Sequence, residues 1–344
     1  MDGTPAVRPA DLLPREEAAE AAEVIDAEGL GKTYGSVVAV RQVSFSVRAG
    51  EVFAFLGPNG AGKSTTVKIL CTLARPTSGR ASVAGFDVTR RPRDVRRRIG
   101  LVFQEQTLDD QLTAEQNLRF HAVLYHVPRA QVGPRIDRVL RLVALEDRRH
   151  DLVATFSGGM ARRLEIARGM LHTPAVLFLD EPTIGLDPQT RALMWDDVLR
   201  LRREEGMTVF MTTHYMDEAE YADRIAIVDH GRLVATGTPE ELKRRVGADT
   251  VDLVTADNPA VAARLRALGH HAGDNGQAVV VFTGDGEAEV PRLIAQARAP
   301  VRSVHVRRPT LDDVFLHYTG RQIREEHAGH TPSAQVRAHT TRRR

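Results

Sequence analysis

Val52-Phe53-Ala54-Phe55-Leu56-Gly57-Pro58-Asn59-Gly60-Ala61-Gly62-Lys63-Ser64-Thr65 runs from an apolar stretch of strand length into a glycine-rich loop, then into a helical pattern. That is the context a G-x-x-x-x-G-K-[ST] phosphate loop requires. Its glycines let successive backbone N–H groups turn toward one point, and the N-terminus of the next helix adds partial positive charge. Gly57, Pro58, Asn59, Gly60, Ala61 and Gly62 form the cradle. Lys63 is placed to reach β- and γ-phosphates, Ser64 to ligate Mg²⁺, and Thr65 to donate a further hydrogen bond to phosphate. The following helix also accounts for the lone cysteine. Val67, Leu70, Cys71 and Ala74 share one face, which makes Cys71 a packed structural thiol.

A second stretch, Val176-Leu177-Phe178-Leu179-Asp180-Glu181, is an apolar strand ending in two carboxylates. In a phosphate-loop fold the first carboxylate at such a strand end holds Mg²⁺, which assigns Asp180. Alternation of side chains points Glu181 differently, toward an attacking water, as the candidate general base. Ahead of this pair, Phe156-Ser157-Gly158-Gly159-Met160 opens a helix that runs through Arg163, Leu164, Ile166 and Ala167. Alone, a Ser-Gly-Gly turn is a good helix N-terminus and nothing more.

Together these stretches resemble an ATP-binding cassette (ABC) ATPase over about Val24 to Lys243. The resemblance implies ATP and Mg²⁺ as ligands. In that family the Ser-Gly-Gly turn contacts the γ-phosphate held by another subunit, again as anion binding at a helix N-terminus. Ser157, Gly158 and Gly159 therefore imply a second copy of this subunit, a homodimer formed on ATP binding. Family members more often carry Leu and Gln where this chain has Phe156 and Met160. Tyr34, in Leu30-Gly31-Lys32-Thr33-Tyr34-Gly35, stands where the family places an aromatic ring against adenine. Gln104, after Ile99–Phe103, resembles the glutamine that senses Mg²⁺ and the attacking water and links the site to a membrane partner. Gly185-Leu186-Asp187 resembles the loop crossing the dimer interface, with Ile184 where a small polar residue is usual. His214, after Thr208–Thr213, resembles the histidine that contacts the γ-phosphate. With Glu181 and His214 both present, the resemblance implies a hydrolysing ATPase.

Composition narrows the class. The 344 residues suffice for one large and one small domain. Charged residues make up 27% of the chain, yet the net is only +2, so no nucleic-acid partner is expected. A single cysteine excludes an intrachain disulfide framework and fits a reducing cytoplasm. Apolar runs such as Ala175–Leu179 are far short of the ~20 residues of a spanning helix. Acidic residues Asp11, Glu16, Glu17, Glu20 and Glu23 rule out a secretory signal in the first residues.

Along the chain, residues 1–23 read as a disordered lead-in and 24–247 as the α/β nucleotide-binding domain. Val52–Leu56, Ala175–Leu179 and Thr208–Met211 read as buried parallel strands, and Arg224–Asp229 with Arg232–Ala235 as a hairpin. A mostly helical stretch between Gln104 and Arg168 reads as a helical subdomain inserted in the sheet. Residues 248–320 read as a small α/β appendix with the order strand, helix, strand, helix, strand, helix. Its last helix puts Leu311, Val314, Phe315 and Tyr318 on one face, with Thr310 as N-cap. His270-His271 near Asp274 reads as a polar turn. Residues 321–344 read as a disordered basic tail.

The Ser-Gly-Gly-Met core with basic residues after it, Thr236-Gly237-Thr238-Pro239-Glu240-Glu241-Leu242, and Leu311-Asp312-Asp313-Val314-Phe315-Leu316 narrow the resemblance. They are similar to the ATP-binding subunits of daunorubicin/doxorubicin-resistance-type exporters, within the ABC-2 group. That implies a separately encoded integral membrane permease and a peripheral place on the cytoplasmic face of the cell membrane. The alternative is a soluble ABC ATPase acting on ribosomes or DNA. One phosphate loop, a short interval from Ser64 to Ser157 and only Cys71 argue against two-cassette, coiled-coil and zinc-module members.

Overall fold

The structure is a computed structural model that describes residues 22–247 and 249–319. The lead-in and the basic tail expected from sequence lie outside these residues, apart from Ala22 and Glu23. Glu23 already belongs to a strand, paired with Arg48, so the first strand begins one residue before the expected domain boundary.

Strands β3 (Val52–Leu56), β6 (Ile99–Val102), β7 (Val176–Asp180), β8 (Thr208–Thr213), β9 (Arg224–Asp229) and β10 (Arg232–Gly237) form a six-stranded sheet in the order β10-β9-β3-β8-β7-β6. Its pairs are parallel except for the β9–β10 hairpin. Burial on both faces explains why the parallel strands read as unbroken apolar runs. In β3, Phe53 and Phe55 enter one core while Val52, Ala54 and Leu56 enter the other.

The Phe side is closed by an antiparallel sheet of β1 (Glu23–Tyr34), β2 (Val37–Arg48), β4 (Ser78–Val83) and β5 (Phe86–Asp87), in the order β2-β1-β4-β5. Phe45 of β2 stacks on Phe53 at 5.7 Å, and Phe53 on Phe210 of β8 at 5.7 Å. Helix α1 (Lys63–Leu70) packs in the same core, with the Cys71 thiol buried at its end and its pKa pushed well up by that burial. Helix α2 (Pro92–Arg98) leads into β6.

The other face carries α3 (Ala114–Leu124), α4 (Arg129–Leu142) and α5 (Gly158–Met170), which fall in the helical stretch expected between Gln104 and Arg168, and also α6 (Pro188–Glu205), which lies beyond it. Thr113 starts α3 with a full capping box to Gln116. The short α7 (Met216–Ala219) follows β8, and α8 (Pro239–Val246) starts on a second capping box, Thr238 with Glu241.

The appendix consists of β11 (Asp249–Thr255), α9 (Asn258–Ala267), β12 (His271–Asp274), β13 (Val279–Thr283), α10 (Gly286–Ala297) and β14 (Val301–Arg307). This βαββαβ run makes an antiparallel sheet in the order β12-β13-β11-β14. Strand β12 corrects the expected polar turn: His271 pairs with Phe282 and Asp274 with Val279. It is a short, polar edge strand with no apolar alternation to betray it. The last helix, α11 (Leu311–Thr319), returns to the cassette and packs on α8. Its Leu311, Val314 and Phe315 join the core under the six-stranded sheet, separate from the small core of the appendix. Thr310 caps α11 as expected, accepting from Asp313 N at 3.3 Å while Asp313 Oδ2 accepts from Thr310 N at 2.9 Å.

Candidate active site

The site gathers at the C-terminal ends of the adjacent strands β3, β8 and β7, where open parallel sheets place their ligands. After β3 the chain makes a tight loop that only glycine permits at two points. Gly62 has φ +99°, and a Cβ there would lie 2.4 Å from Ala39 O; one on Gly57 would lie 2.3 Å from Val228 O. Helix α1 begins at Lys63, directly after Gly62. Asn59 and Gly60 are exposed at the mouth of this loop, Pro58 and Thr65 are half-buried, and Ala61 is buried.

Lys63 is buried at the loop's centre. Its Nζ donates to Gly57 O at 2.7 Å and Pro58 O at 3.1 Å, and lies 2.9 Å from Glu181 Oε1. Beside it, Ser64 Oγ donates to Asp180 Oδ1 at 3.1 Å, and Thr212 Oγ1 donates to the same oxygen at 2.6 Å. A hydroxyl and one carboxylate at the foot of a phosphate loop suit Mg²⁺, which takes one or two protein oxygens and fills its shell with substrate phosphates and water.

Glu181 turns away from Asp180, but through the backbone rather than through strand alternation. It leaves β7 with φ +47°, a left-handed conformation unusual for a side-chain-bearing residue. Its N–H donates to Thr212 Oγ1 at 3.0 Å, which helps to hold the turn. The carboxylate lies between Lys63 and His214, whose Nδ1 is 3.4 Å from Oε2. Burial raises the pKa of this carboxyl, but the His214 imidazole and the Lys63 ammonium outweigh it and hold it at about 2. The His214 contact lacks hydrogen-bond alignment, so the shorter Lys63 pair is the stronger of the two. His214 also packs on Tyr215, ring centroids 4.1 Å apart.

Ser157 caps α5 and accepts a hydrogen bond from Met160 N at 3.3 Å. Gly159 lies against α6: a Cβ there would come within 2.5 Å of Thr190 Cγ2. Thr190 in turn binds Asp187, the N-cap of α6, through N–H at 3.0 Å and hydroxyl at 2.5 Å. These bonds from Thr190 hold the Asp187 carboxyl below its ordinary pKa. A Cβ added to Gly158 would lie 3.7 Å from Leu186 Cδ2, an ordinary contact. The unusual flanks Phe156 and Met160 are partly buried against the same core as Leu186, so they serve packing here.

Two sequence candidates stand apart from this cluster. Tyr34, at the end of β1, is 46% exposed, with Lys32 Nζ 4.7 Å from its ring centroid. Gln104 is exposed on the loop after β6, and among the described residues it has no hydrogen bond to Ser64 or Asp180. Ser157, Gly158, Gly159 and Asp187 likewise have no such bond to the Lys63 cluster among the described residues. One chain thus presents a phosphate-loop half-site and, elsewhere, a Ser-Gly-Gly helix N-terminus.

Sequence reasoning missed Thr212 and Glu218. The Thr212-Thr213 pair closing β8, beside the Asp-Glu strand, was the available signal for Thr212. Glu218, on α7 next to His214, is buried and accepts a hydrogen bond from the Thr183 hydroxyl. Burial pushes its pKa up to about 7. Nothing in the local sequence marks it.

The ABC transporter family model matches residues 40–184. A daunorubicin resistance ATP-binding protein of Streptomyces coeruleorubidus is 42% identical over 310 residues, 88% of this chain and 98% of that one. The chain belongs to the ABC transporter ATP-binding proteins, of the daunorubicin/doxorubicin-resistance type. As such it is an ABC ATPase. A second family model, "ATP-binding protein DrrA1-3-like, C-terminal domain", matches residues 237–319. The linearmycin resistance ATP-binding protein of Bacillus subtilis is 38% identical over 88% of this chain and 100% of its own. Among solved structures, a dimeric ATP-binding cassette in a post-hydrolysis state with ADP and phosphate superposes with a TM-score of 0.57. It is 27% identical and covers 62% of this chain and 98% of that one.

Proposed function

We propose that this ABC ATPase energises an ABC-2 type exporter of drug, antibiotic or lipid-like molecules, with the membrane path in a separately encoded permease. Two copies close around ATP, each completing the other's site. The observation that carries this reading is that, among the described residues, Ser157, Gly158, Gly159 and Asp187 make no hydrogen bond to Lys63, Ser64, Asp180, Glu181 or His214. Resistance and export relatives support the transport role. Among the described residues no helix is long and apolar enough to cross a membrane. A peripheral position on the cytoplasmic face follows from pairing with a permease.

In this reading the phosphate-loop N–H groups and Lys63 bind the β- and γ-phosphates, and Tyr34 stacks on adenine. Ser64, Asp180 and Gln104 would hold Mg²⁺, which would supply positive charge against the phosphates. Glu181 takes the proton of the attacking water, His214 contacts the γ-phosphate, and Asp187 crosses to the partner subunit. Lys63 pairs with Glu181 in this structure, and a γ-phosphate offers the ammonium a stronger anionic partner. That exchange releases Glu181 from one of the two groups, His214 and Lys63, that suppress its basicity.

Glu181→Gln tests the reading. Hydrolysis should fall by about 10²–10⁴, with nucleotide binding kept and an ATP-dependent dimer visible by sizing chromatography. Wild-type turnover, or a monomer at saturating ATP, would sink it.

A further inference from the structure

Helix α5 carries more than the Ser-Gly-Gly turn. One turn further on, Arg162 is buried and its guanidinium is spread over three segments of chain. Nε donates to Pro182 O, and Nη1 to Phe103 O and, at 2.8 Å, to Glu165 Oε2; Nη2 donates to Glu181 O at 3.4 Å. Phe103 precedes Gln104, and Glu181 is the candidate base. Strands β6 and β7, whose ends carry these carbonyls, are neighbours in the sheet, so one planar fork spans both.

Glu165, 1% exposed, extends the contact to the far side of the Gln104 loop. Its Oε1 accepts from Thr107 N at 2.8 Å and Thr107 Oγ1 at 3.0 Å. Arg168, another turn along, donates to Thr107 O at 2.9 Å. Three residues spaced by three along α5 thus pin the Gln104 loop on both sides, and the first of them also grips the backbone of Glu181.

We propose that Arg162 and Glu165 are positioning residues that tie the Gln104 loop to the backbone carrying Glu181. Movement of either segment is then felt by the other through α5, the helix whose N-terminus faces the second subunit. The coupling to hydrolysis rests on Glu181 being the base; the mechanical tie to the loop does not. A buried charge bonded only to structural carbonyls could serve stability alone. Here three of the four acceptors are Phe103, Glu181 and Pro182, which flank proposed catalytic positions. Lysine, a point charge on a flexible stem, cannot reproduce a fork over several acceptors.

The test uses the full chain. Arg162→Gln and Arg162→Lys should lower kcat by about 10-fold or more, with the dissociation constant of a fluorescent ATP analogue held within about 3-fold. Hydrogen exchange should rise in residues 103–108 and 181–183 and stay at wild-type values in β3 and β9. If either Arg162 variant fails to fold, Glu165→Gln reads the same loop with the guanidinium retained. It keeps an acceptor for Thr107 but loses the charge, and should expose residues 103–108 with a smaller loss of kcat. Wild-type kcat in the Arg162 variants, or exchange rising throughout the cassette, overturns the proposal. Glu181→Gln run in parallel separates the two readings, because failure of the base assignment leaves the exchange result on the loop standing.

Discussion

The Lys63 ammonium lies 2.9 Å from the Glu181 carboxylate, with both side chains buried. The lysine that a phosphate loop offers to ATP and the carboxylate that would activate water therefore neutralise each other. A buried pair of this kind stabilises the fold only while both partners are charged.

That pairing gives the first prediction, on acid stability. The Glu181 carboxyl is held at about 2 against an ordinary 4.5. A depressed carboxyl contributes stability above its unfolded pKa and loses it as pH falls through its folded pKa. The interval corresponds to about 3 kcal/mol. The stability of the wild type relative to Glu181→Gln should be constant above pH 5 and shrink by that amount between pH 4.5 and 2. Urea unfolding at stepped pH measures it; a gap that does not change with pH would refute the ion pair.

Glu218 should behave in the opposite sense. Burial raises its carboxyl from 4.5 to about 7. The unfolded chain ionises first, so stability is full below pH 4.5, falls between 4.5 and 7, and stays reduced above. Glu218→Gln keeps an acceptor for Thr183 and removes the titration. It should be more stable than wild type by up to about 3 kcal/mol at pH 8 and about equal to it at pH 4. Thermal unfolding of both proteins across that range decides the point, and equal stability at pH 8 would count against it.

The contrast between these two glutamates shows how much was legible in the sequence. Glu181 follows an apolar strand in a chain with a phosphate loop, so local context marked its position beside Lys63. Glu218, Thr212 and Arg162 acquire their partners only when separate segments meet, and much of the binding is to backbone, which leaves no residue-type signature. The same limit applies to the fold. Unbroken runs in β3, β7 and β8 announced a buried parallel sheet. In β1 and β2, half exposed and interrupted by register shifts, regular alternation is lost. The polar edge strand β12 has no alternation to lose. For α11 the apolar face was evident, but not that it would join the cassette rather than the appendix.

Gly159 permits a test of the contact between the Ser-Gly-Gly turn and α6. A methyl at this position would come within 2.5 Å of Thr190 Cγ2. Gly159→Ala should cost about 1–3 kcal/mol from overpacking. Thr190→Ser removes Cγ2 and keeps the hydroxyl bound to Asp187, so Gly159→Ala/Thr190→Ser should recover at least half of the loss. The double-mutant cycle is read by urea unfolding without nucleotide, which isolates packing from any role of Gly159 at a phosphate. Strict additivity of the two changes would exclude the contact.

Phe315 distinguishes the helical-side core of the cassette from the core of the appendix. It lies late in the chain, beyond the appendix, yet its side chain is 1% exposed in the core shared with Trp195 and Leu242. Phe315→Ala should destabilise the cassette by about 3–5 kcal/mol. Leu265→Ala is the control, because Leu265 is fully buried in the appendix core with Val251 and Val281. A nucleotide reports which unit has been loosened, since ligand stabilises only the unit that binds it. In Phe315→Ala the ATP-stabilised transition should move to lower temperature. In Leu265→Ala that transition should stay in place while hydrogen exchange rises in β11 and β13. The reverse pattern would mean that α11 belongs energetically to the appendix despite its packing.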